Sequence, residues 1–185
     1  MKILVVVDVQ NDFVDGSLRN EEAIKAIPNI VKKIENFDGS YIFVTRDTHQ
    51  INYLETNEGK HLPVVHCVKG TDGWYVNADV AKVLHRRELR EDGCLINYID
   101  KPTFGSTELV EKIINVSKGD PNIEIEFIGF CTDICVVSNV LLTKAGLYES
   151  ANISVDASCC AGVTPESHKA ALLTMKMCQI NINNE

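Results

Sequence analysis

The sequence predicts an α/β fold, a three-layer α/β/α arrangement around a mostly parallel sheet of five to six strands. Two observations predict it. Five short strand-like runs stand out, several of them nearly continuous in Val, Ile and Phe, as strands covered on both faces are. Between them lie longer segments whose apolar residues recur every three or four positions, as on one face of a helix. Alternation of these patterns marks strand–helix–strand units and hence a doubly wound, Rossmann-like sheet. A length of 185 residues suits a single domain spanning 1–185.

KILVVVD (2–8) is the first strand. A helix follows over 21–37, with Ile24, Ile27, Ile30, Val31 and Ile34 on one face. SYIFVTR (40–46) is the second strand. Residues 47–76 then carry no convincing period, and so long an irregular stretch is usually functional. A helix over 78–90 leads to GCLINY (93–98), and one over 106–117 leads to IEIEFIG (123–129). A helix over 133–146 precedes NISVDA (152–157), and another over 166–177 precedes CQININ (178–183), a candidate sixth strand. Asn77, Ser106, Thr132 and Thr164 stand where helix N-caps belong, and Pro165 suits a first helical turn.

The formal net charge of −8 argues against nucleic acid or an anionic membrane as the main partner. No apolar run approaches the roughly 18 residues of a membrane span, and MKILVVVDVQND reads as a buried strand and not as a signal peptide. Seven cysteines without regular spacing fit reduced thiols in a cytoplasmic protein. Neither GxGxxG nor a P-loop is present, so no nucleotide site is indicated.

Open parallel sheets bind ligands beyond the carboxyl ends of their strands. Asp8, Arg46, Asp47, Lys101, the segment Cys131 to Cys135, and Asp156 are all expected at that edge. If Thr132 caps the fourth helix, Cys135 sits in its first turn, where free N–H groups and the helix dipole favour a thiolate. A Lys101 ammonium would add to this, and Asp8 could take the thiol proton and return it to a leaving group. Cys131 reads as a structural thiol. Two cysteines four apart are a weak zinc signal. They also seldom align for a disulfide, which disfavours the rival reading of a thiol redox protein.

VVVDVQNDF (5–13), KPTFGST (101–107) and GFCTDICV (129–136) together resemble the isochorismatase-like cysteine hydrolases, in the same order and spacing along nearly the whole chain. The resemblance implies a catalytic triad of Asp8, Lys101 and Cys135. It also implies a non-proline cis peptide between Phe130 and Cys131, and an oxyanion hole from the N–H groups of Cys131 and Cys135. TRDTH (45–49) and LPVVHC (62–67) resemble the metal site of the nicotinamidase/pyrazinamidase branch, with Asp47, His49 and His66 as ligands and Glu58 as a further carboxylate. Such ligands suit zinc, iron or manganese. Thr48 stands where that branch usually has tryptophan, so the pocket walls are expected to differ. Phe13 matches an aromatic that lines the pocket, and Tyr53 and Trp74 are further wall candidates.

The expected activity is hydrolysis of a small-molecule amide, foremost nicotinamide to nicotinate and ammonia. The alternatives are a carbamoyl or ureido hydrolase, an isochorismatase, or an idle family member used for binding. Intact Asp8, Lys101 and Cys135 disfavour the last. The family often assembles, and an acidic chain with an apolar surface helix could form a homo-oligomer.

Overall fold

The computed structural model describes the chain apart from residues 91, 119, 121 and 148–150. In chain order the elements are β1 (Lys2–Val7), α1 (Asn11–Val14), α2 (Glu21–Asn36), β2 (Tyr41–Asp47), α3 (Asn57–His61), α4 (Ala78–Glu88), β3 (Leu95–Lys101), α5 (Thr107–Ser117) and β4 (Ile123–Phe130). A five-residue π turn (Thr132–Val136) follows, then α6 (Val137–Leu147), β5 (Ala151–Ala161), α7 (Pro165–Met177) and β6 (Asn181–Asn183). The six strands form one parallel sheet in the order β3-β2-β1-β4-β5-β6.

The period-2 alternation of β1 explains the two helical layers. Ile3, Val5 and Val7 pack with Leu109 and Ile113 of α5, Val140 of α6, and Leu172 and Met175 of α7. Leu4 and Val6 pack with Ile30 and Ile34 of α2 and Val80, Val83 and Leu84 of α4. Leu4 through Val7 are fully buried. Burial of each such side chain stabilises by about 1.5–3 kcal/mol, so a charge introduced into this run would break the centre of the sheet.

Asn77, Ser106 and Thr164 cap α4, α5 and α7, accepting from Asp79 N, Leu109 N and Ser167 N respectively. Thr132 does not act as a cap. It is already inside the π turn, which has no side-chain cap, and its hydroxyl instead shares a 2.8 Å hydrogen bond with His168 Nδ1. β3 begins and ends later than expected, so Lys101 is its last residue and not one that follows it. β5 runs on to Ala161, which puts Asp156 within the strand and away from the carboxyl edge. There Lys33 Nζ lies 2.6 Å from its Oδ2. The irregular stretch holds α3 and two short 3₁₀ turns, Tyr53–Glu55 and Asp72–Trp74. Among the described residues no helix is long and apolar enough to cross a membrane.

Candidate active site

The chain reverses direction across the sheet between β1 and β4, which makes their carboxyl ends the topological switch point. Asp8 follows β1 in the left-handed backbone region, φ 49°. Its N–H donates to Thr45 O at 3.1 Å, and Thr45 Oγ1 donates to Asp8 Oδ1 at 2.7 Å. Lys101, at the end of β3, reaches Asp8 Oδ2 at 2.6 Å and Cys135 Sγ at 3.4 Å, and donates to Thr103 O at 3.1 Å. Asp8, Lys101 and Cys135 are all buried.

Burial pushes Asp8 above the ordinary carboxylate range, against the pull of the Lys101 ammonium. Burial works against the charge on Lys101, yet Asp8 foremost holds that charge firmly in place. Burial, then the charge of Asp8, drives the Cys135 thiol well above its usual value. Burial therefore works against the resting thiolate expected from a helix start. Cys135 is the fourth of the five residues of a buried π turn, close to the Asp8 carboxylate. Asp8, Lys101 and Cys135 lie in contact, so their protonation belongs to the cluster and not to any one residue.

The peptide bond between Phe130 and Cys131 is cis. Gly129 has φ +118°, and a Cβ there would overlap the Val7 carbonyl, so β4 needs glycine where it lies against β1. The Cys131 carbonyl accepts from Ile134 N at 3.1 Å and Val136 N at 3.0 Å, closing the turn. Burial pushes the Cys131 thiol up to about 12, which leaves it a poor partner for thiol exchange. Asn139, fully buried, accepts from Ser106 N at 2.9 Å and donates to Phe104 O at 3.1 Å and Cys135 O at 2.8 Å. It thereby ties the loop after Lys101 to the turn that carries Cys135. No sequence motif pointed to it.

Beside this cluster, Asp47, His49, Glu58 and His66 bring one ligand atom each within 4.8 Å of one another. Asp47 Oδ2 lies 2.9 Å from His49 Nε2 and 3.4 Å from His66 Nε2, and Glu58 Oε1 lies 3.6 and 3.8 Å from the same two nitrogens. His66 Nδ1 bonds Val64 O at 2.8 Å, which puts the proton on Nδ1 and a lone pair on Nε2. His49 Nε2 is buried without a hydrogen-bond partner. An orphaned imidazole nitrogen among two carboxylates and a second imidazole fits a divalent metal. Burial alone would raise the Asp47 carboxyl, but the contacts of its Oδ2 with the His49 and His66 imidazoles and the Lys101 charge hold it well below the usual range.

Both clusters open into one cavity of about 1320 Å³, whose lining includes Phe13, His49, Glu58, His66, Cys131 and Cys135. Phe13 meets the His66 ring edge-on at 5.8 Å. Tyr53 and Trp74 do not line it. Tyr53 is packed behind the ligand set, 4.6 Å from the His49 ring and 4.9 Å from the His66 ring, its hydroxyl donating to Leu62 O at 2.9 Å. Trp74 turns its indole N–H onto Thr48 Oγ1 at 2.9 Å and carries the Arg46 guanidinium on its face at 4.2 Å. Arg46 thus braces the ligand loop from outside the cavity. Gln10, buried beside the strand end, holds the same segment by accepting from Asp47 N at 2.7 Å and donating to Asp47 O at 2.8 Å.

An isochorismatase domain family model matches residues 2–183. No curated protein sequence matches the chain. Among solved structures, the nicotinamidase/pyrazinamidase of Bacillus subtilis superposes with a TM-score of 0.81 at 23% identity, over 99% of each chain. The pyrazinamidase of Pyrococcus horikoshii in complex with zinc superposes with a TM-score of 0.74 at 28% identity, over 98% of this chain and 97% of that one. N-carbamoylsarcosine amidase of Thermoplasma acidophilum gives a TM-score of 0.71 at 24% identity, over 100% and 97%.

Proposed function

Since the chain belongs to the isochorismatase domain family, we propose that it is a cysteine amidohydrolase acting on nicotinamide to release nicotinate and ammonia. The observation that carries this reading is that the Asp47, His49, Glu58 and His66 set opens into the same cavity as Cys135, with Asp8 and Lys101 directly behind the thiol. The pyrazinamidase that superposes on this chain at 28% identity holds zinc.

Asp8 takes the proton from Cys135 Sγ, and the sulfur attacks the carboxamide carbon. The N–H groups of Cys131 and Cys135 hold the oxyanion. Asp8 returns the proton to the departing ammonia, and the sulfur–carbonyl bond remains as a thioester. Asp8 next takes a proton from water as that water attacks the same carbon. The carboxylic acid product leaves and gives its own proton to solvent or ammonia, while the proton on Asp8 returns to Cys135. Lys101 stays charged throughout and offsets whichever of the thiolate and the carboxylate carries the negative charge. A divalent ion held by Asp47, His49, Glu58 and His66 would supply a Lewis acid for the ring nitrogen of the substrate. Phe13 offers its ring to the heterocycle.

The test is an ammonia-release screen over nicotinamide, pyrazinamide and a ureido compound, with and without a chelator, for the native chain and Cys135→Ala. Turnover of the two ring amides, lost in Cys135→Ala and weakened by chelation, is the expected result. A Cys135→Ala variant with native turnover would overturn the mechanism. A native protein inert to both ring amides but active on the ureido compound would overturn the substrate.

A further inference from the structure

We propose that His168 is a positioning residue for the nucleophile: through Thr132 its imidazole fixes where the Cys135 sulfur stands. The proposal rests on the reading of Cys135 as the nucleophile. The turn that carries Cys135 is held from the side by two consecutive residues. Thr132 Oγ1 and His168 Nδ1 share a hydrogen bond of 2.8 Å, and the Asp133 carboxylate accepts from Val163 N at 3.2 Å through each oxygen. With no side-chain cap on the turn, the first bond ties it to α7 and the second to the segment just before α7.

The His168 end of the tether is itself fixed. Thr164 and Ser167 close a capping box over the first turn of α7, so His168 projects from a rigid start. A Cβ at Gly162 would stand 2.9 Å from His168 Cα, so the strand-to-helix turn lies directly on the residue. Thr132 is fully buried and cannot exchange its partner for water. Burial keeps the ring neutral at pH 7, against Asp133, Glu185 and Glu22, with Lys169 acting in the same sense as burial. His168 lines a separate cavity of about 310 Å³ and is absent from the wall of the catalytic one. It cannot touch substrate, so it acts on turnover only through Thr132.

The variants are His168→Leu, His168→Asn, Thr132→Val and Thr132→Ser. Asparagine can place a polar atom where Nδ1 stands, and serine keeps the hydroxyl. The readouts are the rate of Cys135 alkylation by iodoacetamide, followed by peptide mass spectrometry, and kcat and KM for amide hydrolysis. His168→Leu and Thr132→Val are each expected to lower the alkylation rate and kcat by roughly 10- to 100-fold, as small misplacements of reacting groups do, with KM unchanged. His168→Asn and Thr132→Ser should recover most of the loss, and the Leu/Val double variant should be no worse than either single one. Native-like alkylation in His168→Leu, additive losses in the double variant, or a change confined to KM would overturn the proposal. Alkylation needs no amide, so a native chain inert to every amide would refute the functional reading and leave this test standing.

Discussion

Asp47 and Lys101 face each other across the β2–β3 ladder, with Asp47 Oδ1 3.6 Å from Lys101 Nζ. Asp47 turns its other oxygen to the two imidazoles. One carboxylate therefore joins the His49–Glu58–His66 cluster to Lys101, and the buried ammonium lies between Asp8 on one side and Asp47 on the other.

Removing that ammonium leaves two buried carboxylates without their cation. In chelator-treated protein, Lys101→Met should lower stability by about 3–5 kcal/mol, the range for breaking one half of a buried pair. Adding Asp8→Asn should restore part of it. Urea midpoints for the native chain, both single variants and the double variant check this, and a Lys101→Met chain as stable as the native one would disprove the pairing. Asp8→Asn alone should cut turnover by about 10²- to 10⁴-fold, the scale of a lost general base.

The ligand set should hold about one divalent ion per chain, as the four donor atoms gathered in one cluster imply. Elemental analysis should find that ion in the native chain, less of it in Glu58→Gln and none in His66→Ala. Zinc at about 100 times its Kd should stabilise the native chain by about 2.7 kcal/mol. Thermal melts that zinc does not move would count against the site.

Asn139→Leu keeps the bulk and removes three hydrogen bonds. The Ser106 N–H and Cys135 carbonyl would lose partners in a buried place, each at a cost of about 1–3 kcal/mol. Turnover should fall with stability, because the loop after Lys101 would no longer be tied to the nucleophile turn. A variant of native stability and activity would show that water replaces the side chain at no cost.

Asp156 gives a pH-dependent prediction far from the site. Burial raises its carboxyl, but hydrogen bonds from Lys33, Ser158 and Asn184 outweigh this and hold it below the ordinary value. A depressed carboxyl contributes stability above its unfolded pKa of about 3.9 and loses it as pH falls through the folded value. Asp156→Asn should therefore be less stable than the native chain at pH 7, and the gap should close as pH drops below about 4. A constant gap between pH 7 and pH 3 would show that the loss is steric and not electrostatic.

The central strands were readable because Val and Ile run through them almost without a break, as in a sheet covered on both faces. Asn77, Ser106 and Thr164 were readable because capping is local. What escaped the sequence depends on distant partners. Thr132 has the chemistry of a cap, but a residue from α7 claims its hydroxyl. Tyr53 and Trp74 have the bulk of pocket walls. Each has a polar tip that found a partner behind the cavity, Leu62 O for one and Thr48 for the other. Ser158, Cys159, Cys160 and Ala161 are small and carry no period, so the length of β5, and with it the place of Asp156, stayed hidden. Asn139 looks like any polar residue in a helix until Ser106 is folded against it.

The strand order has a consequence for how the chain is made. β1 leaves the ribosome before β4, and its second edge waits for Ile123–Phe130. β2 covers one side of Lys2–Val7 early. The other side stays an open, valine-rich edge while α4, β3 and α5 are still being synthesised, and unpaired apolar edges of this kind recruit other chains. A chaperone that binds the nascent chain should therefore raise the yield of soluble protein by covering that edge until β4 is made.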